Sequence, residues 1–372
     1  MGVLPMKIRV AVLFGGRSGE HEVSLASANS IMQNIDKSKY EVIPIGITKE
    51  GRWLTDGDPM KALQAGQVDN TQEPALLSLA NPPQRSLRSQ DQRGQSTRLT
   101  VDVVFPVLHG PYGEDGTVQG LLEMAGVPYV GAGVLASAVG MDKAAMKALF
   151  RERGLPVVET ALVLRRDWDS DPEGTMDRIE QSVGYPCFAK PANLGSSVGV
   201  SKVTDRASLA RALAEAAKYD RKLVVEHAVD CREIECSVLG NEDPIASVPG
   251  EIVPCNEFYD YRAKYVDEGS QLLIPAPIPS ETAEEVRRLA IEAFRAIDCS
   301  GMARVDFFLE KGSGKVYVNE INTIPGFTKI SMYPKLWEAS GIPYSQLIDR
   351  LIGLALERHA DRIRSSTSYQ PD

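Results

Sequence analysis

Three stretches of the chain are apolar almost without a break: KIRVAVLF (7–14), YEVIPIGI (40–47) and VDVVFPVLHG (101–110). Short runs of this kind predict strands of a parallel sheet covered on both faces. After the first run comes GGRSGEHE, then a helical stretch reaching Ile35. The chain therefore begins strand, turn, helix, strand, and a Rossmann-like sheet is expected over residues 1–140. Such sheets bind ligands at the carboxyl ends of their strands. Glu20, His21 and Glu22 fall at one such end and His109 at another. GGRSGE is not G-x-G-x-x-G, and glycines at a strand-to-helix turn serve backbone geometry as readily as a ligand. A histidine in the place of His109 serves packing as readily as binding.

The pattern is lost over residues 60–100. The part from 81 to 100 is polar, with Pro82-Pro83 and several Arg, Gln and Ser, and is expected to be a mobile loop or linker. MDKAAMKALFRERG then reads as a helix closed by Gly154, with Pro156 just after. It opens a central domain expected over 141–229. YPCFAKPANLGSSVGVSKV reads as strand, glycine-serine loop, strand. Its small residues would let backbone N–H groups approach a phosphate, with Lys190 at the strand end to pair with it. KLVVEHAVDCREIECSVLG gives strand, bend, strand, with Glu226 and Glu233 flanking the bend. A third domain is expected over 230–372. Within it, EFYDYRAKYVDEG has no period and reads as a lid over 254–270. Residues 280–297 form an amphipathic helix with Ser280 as its cap and Val286, Leu289, Ala290, Ala293, Phe294 and Ile297 as its buried stripe. PYSQLIDRLIGLALERH is a last core-facing helix, with His359 on the surface near its end.

One stretch breaks the rule that strands bury apolar residues. GMARVDFFLEKGSGKVYVNEINTIPGFTK (301–329) holds two strands and a glycine turn, yet carries Arg304, Asp306, Glu320 and Asn322. By strict alternation Arg304, Asp306 and Phe308 share one face, and Val316, Val318, Glu320 and Asn322 share another. A three-residue Gly312-Ser313-Gly314 loop would pair Lys311 with Lys315, Asp306 with Glu320 and Arg304 with Asn322; a two- or four-residue loop would put the two acids on opposite faces. Opposed carboxylates repel unless a cation lies between them. Two acids and an amide with room for phosphate suit Mg²⁺. The alternative is a solvent-facing polar edge.

Composition narrows the classes. At 372 residues the chain is too long for one ordinary core. A net charge of −9 argues against nucleic acid or an anionic membrane as the main partner. Five scattered cysteines (Cys187, Cys231, Cys236, Cys255, Cys299) form no zinc spacing and suit reduced thiols in a cytoplasm. No signal peptide and no membrane-spanning run is expected.

Seven motifs in order, GGRSGEHEVSLAS, LHGPYGEDGTVQG, MDKAAMK, AKPANLGSSVGVSKV, EFYDYRAKY, GMARVDFFL and VNEINTIPGFT, carry a resemblance that runs essentially from end to end. The chain resembles the D-alanine–D-alanine ligases, ATP-grasp enzymes of peptidoglycan precursor synthesis. The resemblance implies an ATP-grasp fold of α/β and α+β domains behind the Rossmann-like one, a cytoplasmic homodimer, and ATP with two Mg²⁺ ions, for which Mn²⁺ can substitute, as cofactors. It implies metal binding by Asp306, Glu320 and Asn322, and phosphate contacts from Lys143, Lys190 and Lys264. It places adenine and ribose against Glu226, Ala228, Val229 and Glu233, with Phe258 among aromatic positions that vary in the family. It gives Glu20 and His109 to the first D-alanine and Ser331 to the second, and links Glu20 to Ser196 and Tyr265. It makes Arg304 and the Gly326 N–H the donors to a tetrahedral oxyanion. A D-alanine–D-lactate ligase, in which the Tyr265 position is commonly not tyrosine, and another ATP-grasp carboxylate–amine ligase remain as alternatives. A non-catalytic nucleotide-binding module would tolerate loss of the metal acids and Arg304, all of which are present.

Overall fold

In the computed structural model, which describes residues 6–66, 76–77, 86–90, 96–196, 198–254 and 271–366, the three apolar runs become neighbouring strands. β1 (Ile8–Gly15) runs parallel to β2 (Tyr40–Ile47) on one side and to β7 (Val103–Val107) on the other. With β3 (Trp53–Leu54) they form a sheet in the order β3-β2-β1-β7. Helix α1 (His21–Asn34) covers one face, and α2 (Pro59–Gln64) follows β3. The turn from β1 into α1 needs glycine. Gly15 sits at φ +91°, and a Cβ there would overlap the Ile47 carbonyl of the adjoining strand.

Residues 81–100, expected to be a loop or linker, hold strands where the structure describes them. β4 (Leu76–Leu77), β5 (Ser86–Gln90) and β6 (Ser96–Thr100) form an antiparallel sheet with Leu87 opposite Leu99. A ladder is made by backbone groups, which a polar sequence supplies as well as an apolar one. Side-chain periodicity therefore gave no sign of it.

Helices α3 (Thr117–Met124), α4 (Val134–Met141) and α5 (Lys143–Glu152) lead to a second sheet. Asp142 caps α5, accepting from the N–H groups of Ala144 and Ala145, and Gly154 follows the helix at φ +72°. The second sheet holds β8 (Thr160–Leu164), β9 (Cys187–Pro191), β10 (Ser201–Val203) and β11 (Lys222–His227) in the order β10-β9-β11-β8. It carries α6 (Arg165–Ser170), α7 (Pro172–Ser182) and α8 (Arg206–Ala216). A three-residue bend then passes the chain into a third sheet. There β15 (Gln271–Leu273), β14 (Gly250–Val253), β12 (Cys231–Gly240), β16 (Gly301–Glu310) and β17 (Val316–Asn322) lie in that order, with β13 (Ile245–Ala246) on β12. Helix α9 (Ser280–Ala296) buries the predicted stripe, Val286, Leu289, Ala290, Ala293 and Phe294, with Ile297 just beyond its end. Ser280 is not its cap. It is the first helical residue, Pro279 precedes it, and no side chain caps the turn. Helices α10 (Met332–Ala339) and α11 (Tyr344–Arg362) close the fold.

One hydrophobic core joins the first sheet to the last helices. It gathers Val12, Phe14 and Phe105 with Phe327, Tyr333, Trp337 and Leu351. The fully buried Phe327 ring lies edge-on to Phe105 (5.9 Å) and Tyr344 (6.1 Å). No helix of the described residues is long and apolar enough to cross a membrane. Truncating this ring leaves a cavity at the junction, so Phe327→Ala should cost about 3–5 kcal/mol. The urea midpoint of unfolding measures it, and a loss below about 1 kcal/mol would show that Phe327 does not tie the two ends together.

Candidate active site

The β16–β17 hairpin brings Asp306 opposite Glu320 and Arg304 opposite Asn322, as strand alternation predicts, but by another route. The Glu310 N–H donates to the Lys315 carbonyl, so the loop holds four residues, not three. Lys311 does not pair with Lys315; its N–H donates to the Asp230 carbonyl. A four-residue loop alone would separate the acids. A β-bulge between Asp306 and Phe307 restores them: Phe307 pairs with Val318, leaving Asn319 as the extra residue. The bulge also corrects the faces. Val316 and Val318 are buried in the core with α9, whereas Glu320 and Asn322 share the opposite face with Arg304 and Asp306.

On the other side of β16, Glu235 of β12 is in register with Asp306. Three carboxylates, Glu235, Asp306 and Glu320, thus stand in a row across three strands. Arg304 answers two of them. Its Nε and Nη2 donate to the two Asp306 oxygens at 2.7 Å, and Nε lies 3.1 Å from Glu235. Burial opposes the guanidinium charge, but Asp306 and Glu235 outweigh it and hold Arg304 firmly protonated. Lys143, at the start of α5, lies 3.7 Å from Glu320 and donates to the Leu194 carbonyl at 2.8 Å.

This face lines a cavity of ≈ 150 Å³ shared with Glu20, His109, Glu114, Ser196, Gly326 and Ser331. Ser196, at φ +51°, donates its hydroxyl hydrogen to Glu20 across the gap between the second sheet and α1. Ser331 precedes α10, and its Oγ accepts from the Thr328 N–H at 3.0 Å. A Cβ on Gly326 would come within 2.7 Å of that Oγ, so a larger residue there would displace the Ser331 hydroxyl. His109 is largely enclosed. Its Nδ1 faces the Ile324 carbonyl at 3.1 Å and its Nε2 the Ser27 hydroxyl at 3.1 Å. A carbonyl only accepts, so the hydrogen of the neutral ring is on Nδ1, and burial keeps the ring neutral against the pull of Glu20. Burial, with Glu20 adding, also pushes the Glu114 carboxyl well up.

A larger cavity of ≈ 850 Å³ adjoins the first, and Lys143, Leu194, Gly195, Ser196, Glu235 and Glu320 line both. It runs between the second and third sheets along Lys190, Glu226, Ala228, Val229, Glu233 and Asp306. Glu226 is buried between two lysines, Lys190 at 2.6 Å and Lys147 at 3.1 Å. Burial would raise its carboxyl, but the two ammonium groups overcome this and hold it down at about 2. Phe258, Lys264 and Tyr265 lie outside the described residues.

The family model described as "D-ala D-ala ligase N-terminus" matches residues 9–132, and "D-ala D-ala ligase C-terminus" matches residues 149–353. The chain belongs to the D-alanine–D-alanine ligase family. The D-alanine–D-alanine ligase of Thermoanaerobacter sp. (strain X514) is 55% identical over 96% of this chain and 99% of its own length. That of Heliobacterium modesticaldum is 54% identical over 98% and 99%. Among solved structures, the D-alanine-D-alanine ligase from Coxiella burnetii superposes with a TM-score of 0.83 at 39% identity, covering 96% of each chain. The VanG D-Ala:D-Ser ligase from Enterococcus faecalis does so with a TM-score of 0.82 at 36%, covering 94% of this chain and 100% of that one.

Against the D-alanine–D-alanine ligase motifs, the structure adds residues that sequence reasoning passed over. Glu235 lies two positions beyond Glu233 on the same face of β12, so its signal was present. Lys147 lies one turn after Lys143 within MDKAAMK and reads as an ordinary helix charge until Glu226 is seen against it. Glu114 and Ser27 are single polar residues whose burial no local pattern announces. A divalent cation fits the hairpin: Asp306 faces Glu320, and the Asn322 Oδ1 beside them is buried with no hydrogen-bond donor among the described residues. No cluster of three or more His, Cys, Asp or Glu suited to a metal forms among them. The candidate set is two carboxylates and an amide, which suits an ion that completes its shell from phosphate oxygens.

A carboxyl depressed by its partners stabilises the folded state fully above its unfolded value of 4.5, and that gain is lost as pH falls through about 2. The stability gap between the native protein and Glu226→Gln should therefore be widest near neutrality and narrow steadily below pH 4.5. Urea unfolding from pH 7 to pH 3 reads it; a gap independent of pH would mean that Glu226 is not ionised in the fold.

Proposed function

We propose that the protein joins two D-alanine molecules into D-alanyl-D-alanine at the expense of ATP. The observation that carries this is the junction of the two cavities, where Lys143, Ser196, Glu235 and Glu320 line both a small polar pocket and a nucleotide-sized cleft. A carboxylate in the small pocket lies beside the place where a terminal phosphate would arrive.

The roles are those that the family resemblance implies, and the positions of the described residues support them. Glu20, held by Ser196, takes the ammonium of the first D-alanine, with His109 forming the pocket wall. In the cleft, Lys143 and Lys190 bind phosphate oxygens, a role that the family resemblance extends to Lys264. Glu226, Ala228, Val229, Glu233 and Phe258 bound adenine and ribose. Asp306, Glu320 and Asn322 would hold Mg²⁺, two ions by the family resemblance, which when bound neutralises phosphate charge and aligns the transfer. The substrate carboxylate oxygen attacks the terminal phosphorus and ADP leaves, giving an acyl phosphate. The amine of the second D-alanine, its carboxylate at Ser331, attacks the acyl carbon. The tetrahedral oxyanion is met by Arg304, already fixed by Asp306 and Glu235, and by the Gly326 N–H. Phosphate then leaves with the electron pair of its bond, and the amine loses a proton. Fixed donors aimed at developing charge avoid the reorganisation that water would require. By the family resemblance Tyr265 is linked to Glu20 and Ser196, and its presence favours an amine over a hydroxyl as second nucleophile. The protein is taken to act as a cytoplasmic homodimer.

Phosphate release from Mg²⁺–ATP should require D-alanine and should not proceed with L-alanine; no D-alanine-dependent turnover would sink the proposal. Asp306→Asn and Glu320→Gln should each lower kcat by roughly a hundredfold or more with little change in melting temperature. Arg304→Met should cost ~10²–10³-fold in kcat. Near-normal turnover in any of these three variants would remove that residue from the chemistry.

A further inference from the structure

Lys147 is a fully buried lysine that lines neither cavity. It lies on α5 one turn after Lys143, between the core residues Met146 and Phe150. An isolated ammonium in such a place is costly, and buried charges persist when paired. Its partner is the Glu226 Oε1 at 3.1 Å, while the other oxygen of Glu226 meets Lys190 at 2.6 Å. Of the three groups only Lys190 and Glu226 reach the nucleotide-sized cleft. The remaining charges acting on Lys147 are Lys190, which repels it, and Glu320.

The charges can be counted. Counting the groups in direct contact, two lysines and one carboxylate leave a net charge of +1, with Glu320 acting on both lysines from farther off. Without Lys147, Lys190 and Glu226 would form a closed neutral pair, and an arriving anion would have to compete with Glu226 for the Lys190 ammonium. Lys147 removes that competition from behind. Burial pulls the Lys147 ammonium down from its usual value, and Glu226 opposes that pull. The strong depression of the Glu226 carboxyl fits a carboxylate flanked by two cations.

We propose that Lys147 is a positioning residue for the nucleotide: it neutralises Glu226 on the side away from the cleft, so that the charge of Lys190 is left for the polyphosphate. The assignment rests on the cleft being the ATP site of a ligase. Lys147 touches neither nucleotide nor substrate and acts only through Glu226 and Lys190.

The test uses the full chain with Mg²⁺ and two probes, ADP and adenosine, whose affinities are measured by calorimetry or by competition. Their ratio isolates what the phosphates contribute. Lys147→Met should weaken ADP by about tenfold or more, as expected for one charge removed at short range in a partly buried site, and leave adenosine within about threefold. A merely structural loss would weaken both probes equally, and that result would overturn the proposal, as would an unchanged ratio. Removing one partner of a buried pair often destabilises a fold, whereas replacing both is tolerated. Lys147→Met/Glu226→Gln is therefore the companion variant. It restores a net charge of +1 on Lys190 and should keep the native preference for ADP over adenosine; loss of that preference would also overturn the proposal. If the native protein bound no ADP, the ligase assignment would fall and this inference with it, whereas native ADP binding with an unaltered ratio in Lys147→Met would overturn the inference alone.

Discussion

Three carboxylates in one row across neighbouring strands are held together against their own repulsion. Like charges directly opposite on a sheet are destabilising, more so when half-buried. Glu235, Asp306 and Glu320 occupy such a row because the β12–β16 register and the bulge in β17 leave them nowhere else to point. The compensation comes from around the row: the Arg304 guanidinium between the first two, and the Lys143 ammonium near the third. The row faces the larger cavity between the second and third sheets. The rigid apolar layer behind the row, built from Val305, Phe307, Val318 and Ile321 against α9, keeps the repulsion from being relieved by movement.

Much of this was legible in the order of residues, for a physical reason. Continuous apolar runs mean burial on both faces, which located the parallel sheet over Ile8–Gly15, Tyr40–Ile47 and Val103–Val107. Strand alternation located the acid pair. The pairing of Asp306 with Glu320 was obtained from a loop one residue too short and a strand with no bulge. Each mistake turns the faces over once, so together they cancel. Alternation records which face a side chain needs, not how the backbone brings it there.

The remainder was hidden where a residue's role depends on a distant partner. Lys147 is a helix charge until Glu226, on another sheet, closes over it. The sheet formed by β4, β5 and β6 has no apolar signature because backbone groups make it. Ser280 looks like a cap, yet the helix begins at Ser280 itself.

Phe327 carries a consequence for how the molecule comes into being. Its ring is anchored among residues of the first sheet and the last helices, while its neighbour Gly326 lines the small pocket. The pocket is thus a seam where the beginning and end of the chain meet. Separated N- and C-terminal halves would each hold part of the site and neither its shape. Contacts so distant in sequence form slowly relative to local structure, so the pocket takes its shape from a closure between the first sheet and helices α10 and α11 and not from either alone.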